Sequence, residues 1–322
     1  MSYFLLKLAF DTAVHFGASD TAAGADPSSL TLRADTIFSA LCHTALATGG
    51  SSRLSVLCSM VQQGELQLTD AMPWRGETLY LPKPLTTAVF NASLSTTERK
   101  TLKKLAWIPV SKFDAYMASL QQGMYPLDEQ DTAPFGDAYE QAKASVAEGP
   151  NAQPYFVGLY SFRSDCGLYL VCRCEDTQWD LLVSLFRACG LSGIGGRVST
   201  GYGKFHLKGV PVCLNTSLDK LHRWMLRALD SDVGPYLLLT SSLPTDSESE
   251  DVLDGATFQL VRRAGFASTE FIDTPRKKQT QYYLAAGAVV QHTYHGALYD
   301  VGIGLPHPAY RYSIPLFMGV KL

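Results

Sequence analysis

The sequence has no surplus of positive charge. Its 27 Lys and Arg are outnumbered by 30 Asp and Glu, which gives a formal net charge of −3 and a pI near 6.2. No whole-molecule field therefore draws the chain to nucleic acid, and any anion-binding surface has to be built locally. No apolar run approaches the ~18 residues of a membrane span. The start, Met1 to Lys7, is short and alternating, so no signal peptide is expected. Seven cysteines, an odd number without framework spacing, predict a reducing, cytoplasmic setting rather than a disulfide scaffold. Metal motifs are missing as well. Cys172-x-Cys174 with Cys166 has no fourth ligand at zinc spacing, and His292-x-x-His295 lacks the helical His-Glu-x-x-His pattern. No metal and no cofactor are expected.

At 322 residues the chain is long enough for one large domain or two of ordinary size. Its 46% hydrophobic and 18% charged content is ordinary for a globular protein. Charge is sorted along the chain. Leu181 to Leu218 holds no acid but contains Arg187, Arg197, Lys204 and Lys208. Thr274 to Tyr299 is also acid-free and contains Arg276, Lys277 and Lys278. The acidic run Asp246, Glu248, Glu250, Asp251 and Asp254 stands apart from both. Such sorting matters for a groove even when net charge is near zero.

The stretch Cys189 to His206 concentrates the chemistry. It contains six glycines, Gly190, Gly193, Gly195, Gly196, Gly201 and Gly203, with Arg197 and Lys204 among them. An apolar helical pattern, Trp179 to Cys189, precedes it, and a strand pattern, Lys204 to Val212, follows. Such a loop exposes backbone N–H groups, and glycine accepts the dihedrals that let them converge on a phosphodiester. Sharper nucleotide motifs fail. Counted from Gly193, a dinucleotide fingerprint would end on Val198, and the loop leaves a helix instead of opening one. A P-loop ending at Gly203-Lys204 would begin at Val198 and has Phe205 in place of Ser or Thr. A nucleophile elbow from Gly190 would need glycine at Ile194. The competing reading is a plain glycine linker, which the interspersed Arg197 and Lys204 argue against.

The periodicities predict an α+β chain. Tyr3 to Phe10 reads as a strand with Phe4, Leu6, Leu8 and Phe10 on one face. Arg33 to Thr48 reads as a helix capped by Asp35 and ended by Gly49-Gly50, with a second helix over Leu54 to Gln62. Leu79 to Leu85, with Pro82 and Pro84, is an edge strand at best. Thr86 to Asn151 reads as an insertion. Pro154 to Phe162 and Cys166 to Cys174 predict a hairpin turning at Ser164-Asp165. With the Trp179 helix, the loop and the strand to Val212, the order is that of a ferredoxin-like (RRM-like) domain over residues 1–215. A junction helix is expected over Leu218 to Leu229. Residues 216–322 predict a second, degenerate ferredoxin-like domain, with a plain β-extension as the alternative.

Three pieces of sequence then point to one family. They are Val14-His15-Phe16-Gly17 with Leu32-Arg33-Ala34-Asp35-Thr36-Ile37-Phe38-Ser39-Ala40-Leu41-Cys42, the loop Gly193 to Phe205, and Tyr310-Arg311-Tyr312-Ser313-Ile314-Pro315. Together they resemble the RAMP superfamily of CRISPR-associated proteins, and within it the fourth subunit of the type III-A (Csm) interference complex. That resemblance implies two ferredoxin-like domains and no catalysis. It implies a grip on the repeat-derived 5′ tag of the CRISPR RNA, docking to the large polymerase-like subunit and to the backbone RAMP subunit, and indirect contact with target RNA. It also implies a thumb wedged into the guide–target duplex, placed within residues 86–151.

The residues expected to hold RNA are Gly193, Gly195, Gly196, Arg197, Gly201, Tyr202, Gly203 and Lys204, with His15, Arg33, Arg276, Lys277 and Lys278 as second-tier contacts. A single-stranded tag is held by phosphate contacts, stacking and 2′-OH contacts. Arg197 and Lys204 supply charge-assisted bonds. Tyr202 stacks on a base or simply packs. The rival reading is an endoribonuclease that processes the CRISPR precursor, with a histidine as general base. His15 and His43 are the candidates, and Asp26 is the loop acid to consider for target cleavage. A second rival is a pure interaction module whose glycine loop packs only on protein. No Gly-Gly-Asp-Asp polymerase element and no paired His-Asp nuclease element is present.

Overall fold

The structure, a computed structural model, describes residues 1–17, 28–86, 96–122, 127–145, 153–267 and 276–321. Strand β1 (Ser2–Phe10) sorts its side chains by alternation. Phe4, Leu6 and Leu8 enter one buried cluster, and Tyr3 and Leu5 enter another. Helix α1 (Ala34–Gln62) buries Ile37, Phe38, Leu41 and Ala45 completely. Gly50 breaks its geometry, at φ 65 and ψ −164, so the span is two helices joined at a kink, on either side of Gly49-Gly50 as expected.

The expected cap is corrected. The residue before the helix is Arg33, and its side chain makes no capping bond. The cap is donated from elsewhere: Asp70 Oδ1 accepts the Ala34 N–H at 2.8 Å. Asp35 is turned instead toward Arg263, whose Nε and Nη2 donate to its two oxygens at 2.8 and 2.7 Å.

Strands β2 (Leu66–Leu68), β3 (Met72–Arg75) and β4 (Thr78–Pro82) follow. The expected insertion contains helix α2 (Thr96–Lys104), strand β5 (Trp107–Pro109), helices α3 (Phe113–Gln122) and α4 (Glu129–Thr132), and strand β6 (Gly136–Ser145). Then come β7 (Gln153–Phe162), β8 (Cys166–Cys174), helix α5 (Trp179–Ser192), β9 (Phe205–Leu207) and β10 (Val212–Cys213).

The main sheet has the order β10-β1-β8-β3-β4-β5, with β2 also on β8 and β9 also on β1. Its pairings are antiparallel. Helices α1 and α5 pack on one face through Ile37, Phe38, Leu41, Leu182 and Phe186. Helix α3 and the C-terminal residues cover the other, through Phe113, Tyr116, Leu237 and Met318.

The predicted hairpin of 154–162 with 166–174 does not form. β8 is a central strand, paired with β1 over seven residues and with β2 and β3 on its other side. β7 pairs with β6 over ten residues instead. The turn itself is real, since Cys166 N–H donates to Arg163 O at 2.9 Å, but it redirects the chain between two sheets.

The C-terminal part opens with helix α6 (Lys220–Leu229), capped by Asp219, which accepts the Leu221 and His222 N–H groups at 2.8 and 3.0 Å. It continues with β11 (Tyr236–Leu238), α7 (Ser249–Leu253), β12 (Leu260–Arg263), β13 (Phe266–Ala267), β14 (Arg276–Lys277) and β15 (Gln281–Leu284). It ends with β16 (Val289–Val290), β17 (Ala297–Asp300), β18 (Tyr310–Ser313) and β19 (Phe317–Gly319). One three-stranded sheet runs β16-β11-β19, and Thr257 bridges to Val289 beside it. The other strands form two-stranded ribbons, β12–β15, β13–β14 and β17–β18.

This part is tied deeply into the main sheet. Tyr312 has no exposed surface and lies against Phe38, ring centroids 5.4 Å apart. Its Oη accepts the Leu68 N–H at 2.8 Å. Asp70 accepts from the Ser241 hydroxyl at 2.6 Å and from the Ser241 N–H at 3.0 Å. Burial pushes the Asp70 carboxyl above its usual range, against these bonds.

Candidate nucleic-acid interface

The glycine loop leaves α5 through Gly193, whose N–H donates to Cys189 O at 2.8 Å. It is pinned on the segment after β1. Gly196 N–H donates to His15 O at 2.8 Å, and Gly203 N–H donates to Ala13 O at 2.9 Å. Lys204 N–H donates to Thr12 Oγ1 at 3.0 Å, and Asp11 N–H donates to Lys204 O at 2.9 Å. Ile194 N–H closes the loop on Gly203 O at 2.9 Å. Approach is closest at Gly203, where an added Cβ would lie 2.1 Å from Ile194 O at a φ of 75. A linker would not be held this way.

Between the pins the chain turns outward. Arg197 adopts a left-handed conformation, φ 62 and ψ 21, the one non-glycine residue with positive φ among the described residues. Val198 to Thr200 follow as a single 3₁₀ turn. The N–H groups of Arg197, Val198 and Ser199 make no hydrogen bond to a described residue. A left-handed residue followed by a right-handed turn aims successive amides to one side, an arrangement that suits an anion. The side chains of Arg197 and Lys204 are exposed, and no carboxylate among the described residues pairs with either. A left-handed non-glycine residue costs about 1–2 kcal/mol, and it persists where surroundings over-determine it.

The β6–β7 ribbon stands beside the loop. The Arg197 guanidinium lies 5.4 Å from the Tyr155 ring centroid, and the Lys143 ammonium lies 4.6 Å from that of Tyr202. The Tyr202 hydroxyl bonds to Gln141 Oε1. Tyr202 thus has a cation over its ring and an amide on its hydroxyl. Sequence reading missed Gln141, Lys143 and Tyr155. They lie in or beside the expected insertion, where β6 is polar and alternation gives no apolar signal. The cue that was available is Tyr155, an aromatic in a strand pattern.

The second-tier residues separate. His15 is buried, 6% exposed, with Nδ1 at 2.7 Å from Gly158 O, and an added Cβ on Gly196 would meet its ring at 2.5 Å. It props the loop from beneath instead of facing solvent. Arg33 sits half-buried at the start of α1. Arg276 and Lys277 are exposed on β14, and Lys278 N–H donates to Gly265 O at 2.9 Å. Burial, with Arg311 nearby, pushes the Lys278 ammonium down. Burial and the Lys278 charge push the His43 imidazole down in turn. Lys278 thus lies near α1, and no described contact joins Arg276, Lys277 or Lys278 to the glycine loop.

Asp26 and, within the expected thumb segment, residues 87–95, 123–126 and 146–151 lie outside the described residues. Cys172 and Cys174 are buried in the main core and Cys166 in a smaller cluster with Tyr80 and Phe135. Among the described residues no group of three or more His, Cys, Asp or Glu is placed to hold a metal ion. No helix among them is long and apolar enough to cross a membrane.

Comparison with known proteins gives a consistent result. Residues 232–320 match the family model of the CRISPR Csm4 C-terminal domain. The chain is 33% identical over 320 residues to the CRISPR system protein Csm4 of Mycobacterium tuberculosis, covering 98% of this chain and 97% of the relative. It is 29% identical over 332 residues to Csm4 of Streptococcus thermophilus, covering both chains completely. Its fold matches a chain of the Csm3–Csm4 subcomplex of the type III-A CRISPR-Cas interference complex, with TM-score 0.63, 16% identity and complete coverage of both chains. It also matches a chain of the Csm1–Csm4 cassette in complex with pppApA, with TM-score 0.64, 18% identity, and coverage of 100% of this chain and 99% of that one. The chain, with its RAMP-like mixed α/β fold, belongs to the Csm4 family of CRISPR-associated proteins.

Proposed function

We propose that this chain is a non-catalytic RNA-holding subunit of a type III-A CRISPR ribonucleoprotein. The glycine loop grips the single-stranded 5′ repeat tag of the CRISPR RNA. The observation that carries this is the outward turn at Arg197 to Ser199, whose three amides bond no described residue, beside the exposed Arg197 and Lys204 side chains, which pair with no described carboxylate. One phosphate fits the amides, and Arg197 and Lys204 take its neighbours. Two cations are too few for tight binding alone, so flanking protein subunits complete the grip.

Solved complexes of relatives support the partners. Csm4 occurs with Csm1 in one and with Csm3 in another. By that relationship this chain docks to the large polymerase-like subunit and to the backbone RAMP subunit. The two-part division, residues 1–215 and 216–322, is read as two ferredoxin-like domains. In support, the main sheet places the strands in the order fourth, first, third, second, and β19-β11-β16 with the Thr257 bridge repeats it. The β6–β7 ribbon is the thumb in this reading.

The endoribonuclease alternative loses its main candidate. His15 is buried under the loop with Nδ1 engaged, so a substrate 2′-OH would need the loop to lift before reaching it. The deciding experiment is a native pull-down of the tagged protein, with sequencing of the RNA that accompanies it. A guide RNA with one uniform repeat-derived 5′ end, plus other CRISPR subunits, is the expected result. Recovery of the free protein without RNA would overturn the reading.

A further inference from the structure

The basic stretch around Arg276 finds no place at the glycine loop, and its surroundings explain it differently. Strands β12 and β13 run against β15 and β14 as one ribbon. Arg263 pairs with Gln281 before an irregularity, and Phe266 pairs with Lys277 after it. Between these pairs one strand advances three residues and the other four, so the second strand carries one extra residue, a bulge. The bulge separates the two sides of the basic run. Lys278 turns inward toward Arg311, Asp35 and Arg263 and is half-buried, while Arg276 and Lys277 stay exposed.

The inward face is fixed. Arg263 is bound to Asp35, and Tyr283 is fully buried. Beneath the ribbon, Arg311 Nη1 donates to Arg263 O at 3.0 Å and to Gln279 O at 2.8 Å. The outward face carries two cross-strand pairs, Arg262 opposite Tyr282 and Lys277 opposite Phe266. Tyr282 is 54% and Phe266 58% exposed. Neither ring contacts another described aromatic ring, and no described carboxylate pairs with Arg262, Arg276 or Lys277. Each exposed ring thus has a cation directly across the ribbon. Four residues separate the two pairs along β12 and β13, about 13 Å at ~3.3 Å per residue. That is far enough for each ring to take a separate base.

We infer that the outward face of the β12–β15/β13–β14 ribbon is a second platform for single-stranded nucleic acid. Tyr282 and Phe266 stack on unpaired bases, and Arg262 and Lys277, each directly across from one of the rings, neutralise the adjoining phosphates. It takes the same class of ligand as the glycine loop but uses wholly different residues, so either reading can fail alone. Bases must be unpaired, because a duplex hides the faces on which an exposed ring stacks. Each exposed ring has a cation directly across from it, and no described carboxylate pairs with either cation, which suits a ligand that offers stacking faces and phosphates together.

The test uses the purified full chain and fluorescence anisotropy with an unstructured uridine-rich RNA and with a blunt RNA duplex. Phe266→Ala/Tyr282→Ala should weaken single-strand binding by roughly tenfold or more and leave duplex binding unchanged. Phe266→Trp/Tyr282→Trp should retain wild-type affinity, which separates stacking from a folding defect. Arg197→Ala/Lys204→Ala is measured alongside and reports on the glycine loop independently. Wild-type single-strand affinity in the double alanine variant would overturn the platform and leave the loop reading standing. Loss of co-purification with the large subunit, at unchanged RNA affinity, would also overturn it and identify the face as a protein contact.

Discussion

Asp35, in the first turn of helix α1, and Arg263, on strand β12, form a two-pronged ion pair across 228 residues of sequence, at 2.8 and 2.7 Å. Both side chains are largely buried, at 6% and 15% exposure. The carboxylate sits where a helix start favours negative charge, so the helix and the guanidinium act on it together.

Removing one member should therefore cost far more than removing both. Asp35→Ala leaves a buried guanidinium without its partner and should destabilise the chain by about 3–5 kcal/mol. Asp35→Ala/Arg263→Met should recover a large part of that. Urea titration of both variants is the measurement. Equal losses in the two would show that the charge left behind is not the source of the cost.

Tyr312→Phe deletes only the acceptor of the Leu68 N–H. The site is fully buried, so the amide is left unsatisfied and the expected loss is about 1–3 kcal/mol. Amide hydrogen exchange at Leu68 should speed up more than at Val171 on the neighbouring strand. Unchanged exchange there would remove the tie from the account.

Gly203→Ala should be poorly tolerated. At a compatible site a Gly→Ala change stabilises by up to ~1 kcal/mol, and where φ is positive it destabilises by more than that. Here φ is 75 and the new methyl would meet Ile194 O at 2.1 Å, so the loop must open. A lowered melting temperature and weaker RNA binding are expected together. A variant as stable as the parent would mean that the loop is a loose linker after all.

Arg197→Ala/Lys204→Ala should reduce retention of tag RNA with little change in melting temperature. For a single strand, each phosphate contact contributes ~0.7 to the slope of log affinity against log salt. The slope should therefore become shallower by about 1.4 when both cations are lost. Equal retention and an equal slope would exclude the loop as an electrostatic grip.

Glu248 sets an acid dependence. Burial works against its charge, but the N–H groups of His295, Thr245 and Gly296 and the Thr245 hydroxyl hold its carboxyl at about 2, below its ordinary 4.5. A depressed carboxyl contributes stability that is fully present above about 4.5 and is lost as pH falls toward about 2. Glu248→Gln should flatten stability across that window and leave its slope at higher pH unchanged. Circular dichroism melts at stepped pH would show it. An unaltered acid limb in the variant would assign the dependence to other carboxyls.

Sequence patterning reached the elements whose apolar periodicity is strong. Strand β1, the face of α1 built on Ile37, Phe38 and Leu41, helix α5 and the glycine loop all lie where alternation or a 3.6-residue period places them. It failed where the deciding partner is remote. Asp35 has the sequence position of a cap, but the capping carboxylate is Asp70, brought in from beyond β2. Ser164-Asp165 has hairpin chemistry, but β8 is claimed by β1 and β3, so β7 pairs with β6. β6 itself, with Asp137, Tyr139, Gln141 and Lys143, carries no apolar face to read. At the loop, the cations and glycines were legible. The burial of His15 was not, because it follows from Gly158 and Gly196 closing over it.

The bond from Leu68 N–H to Tyr312 Oη also makes completion of the main sheet's core wait for the end of the chain. Everything through β10 leaves the ribosome roughly a hundred residues before Tyr312 can reach its slot between α1 and β2. Until then Asp35 faces water without Arg263, and Asp70 without Ser241. The nascent sheet is left with an unfilled seam beside Phe38 and Leu68 until the Tyr312 ring arrives.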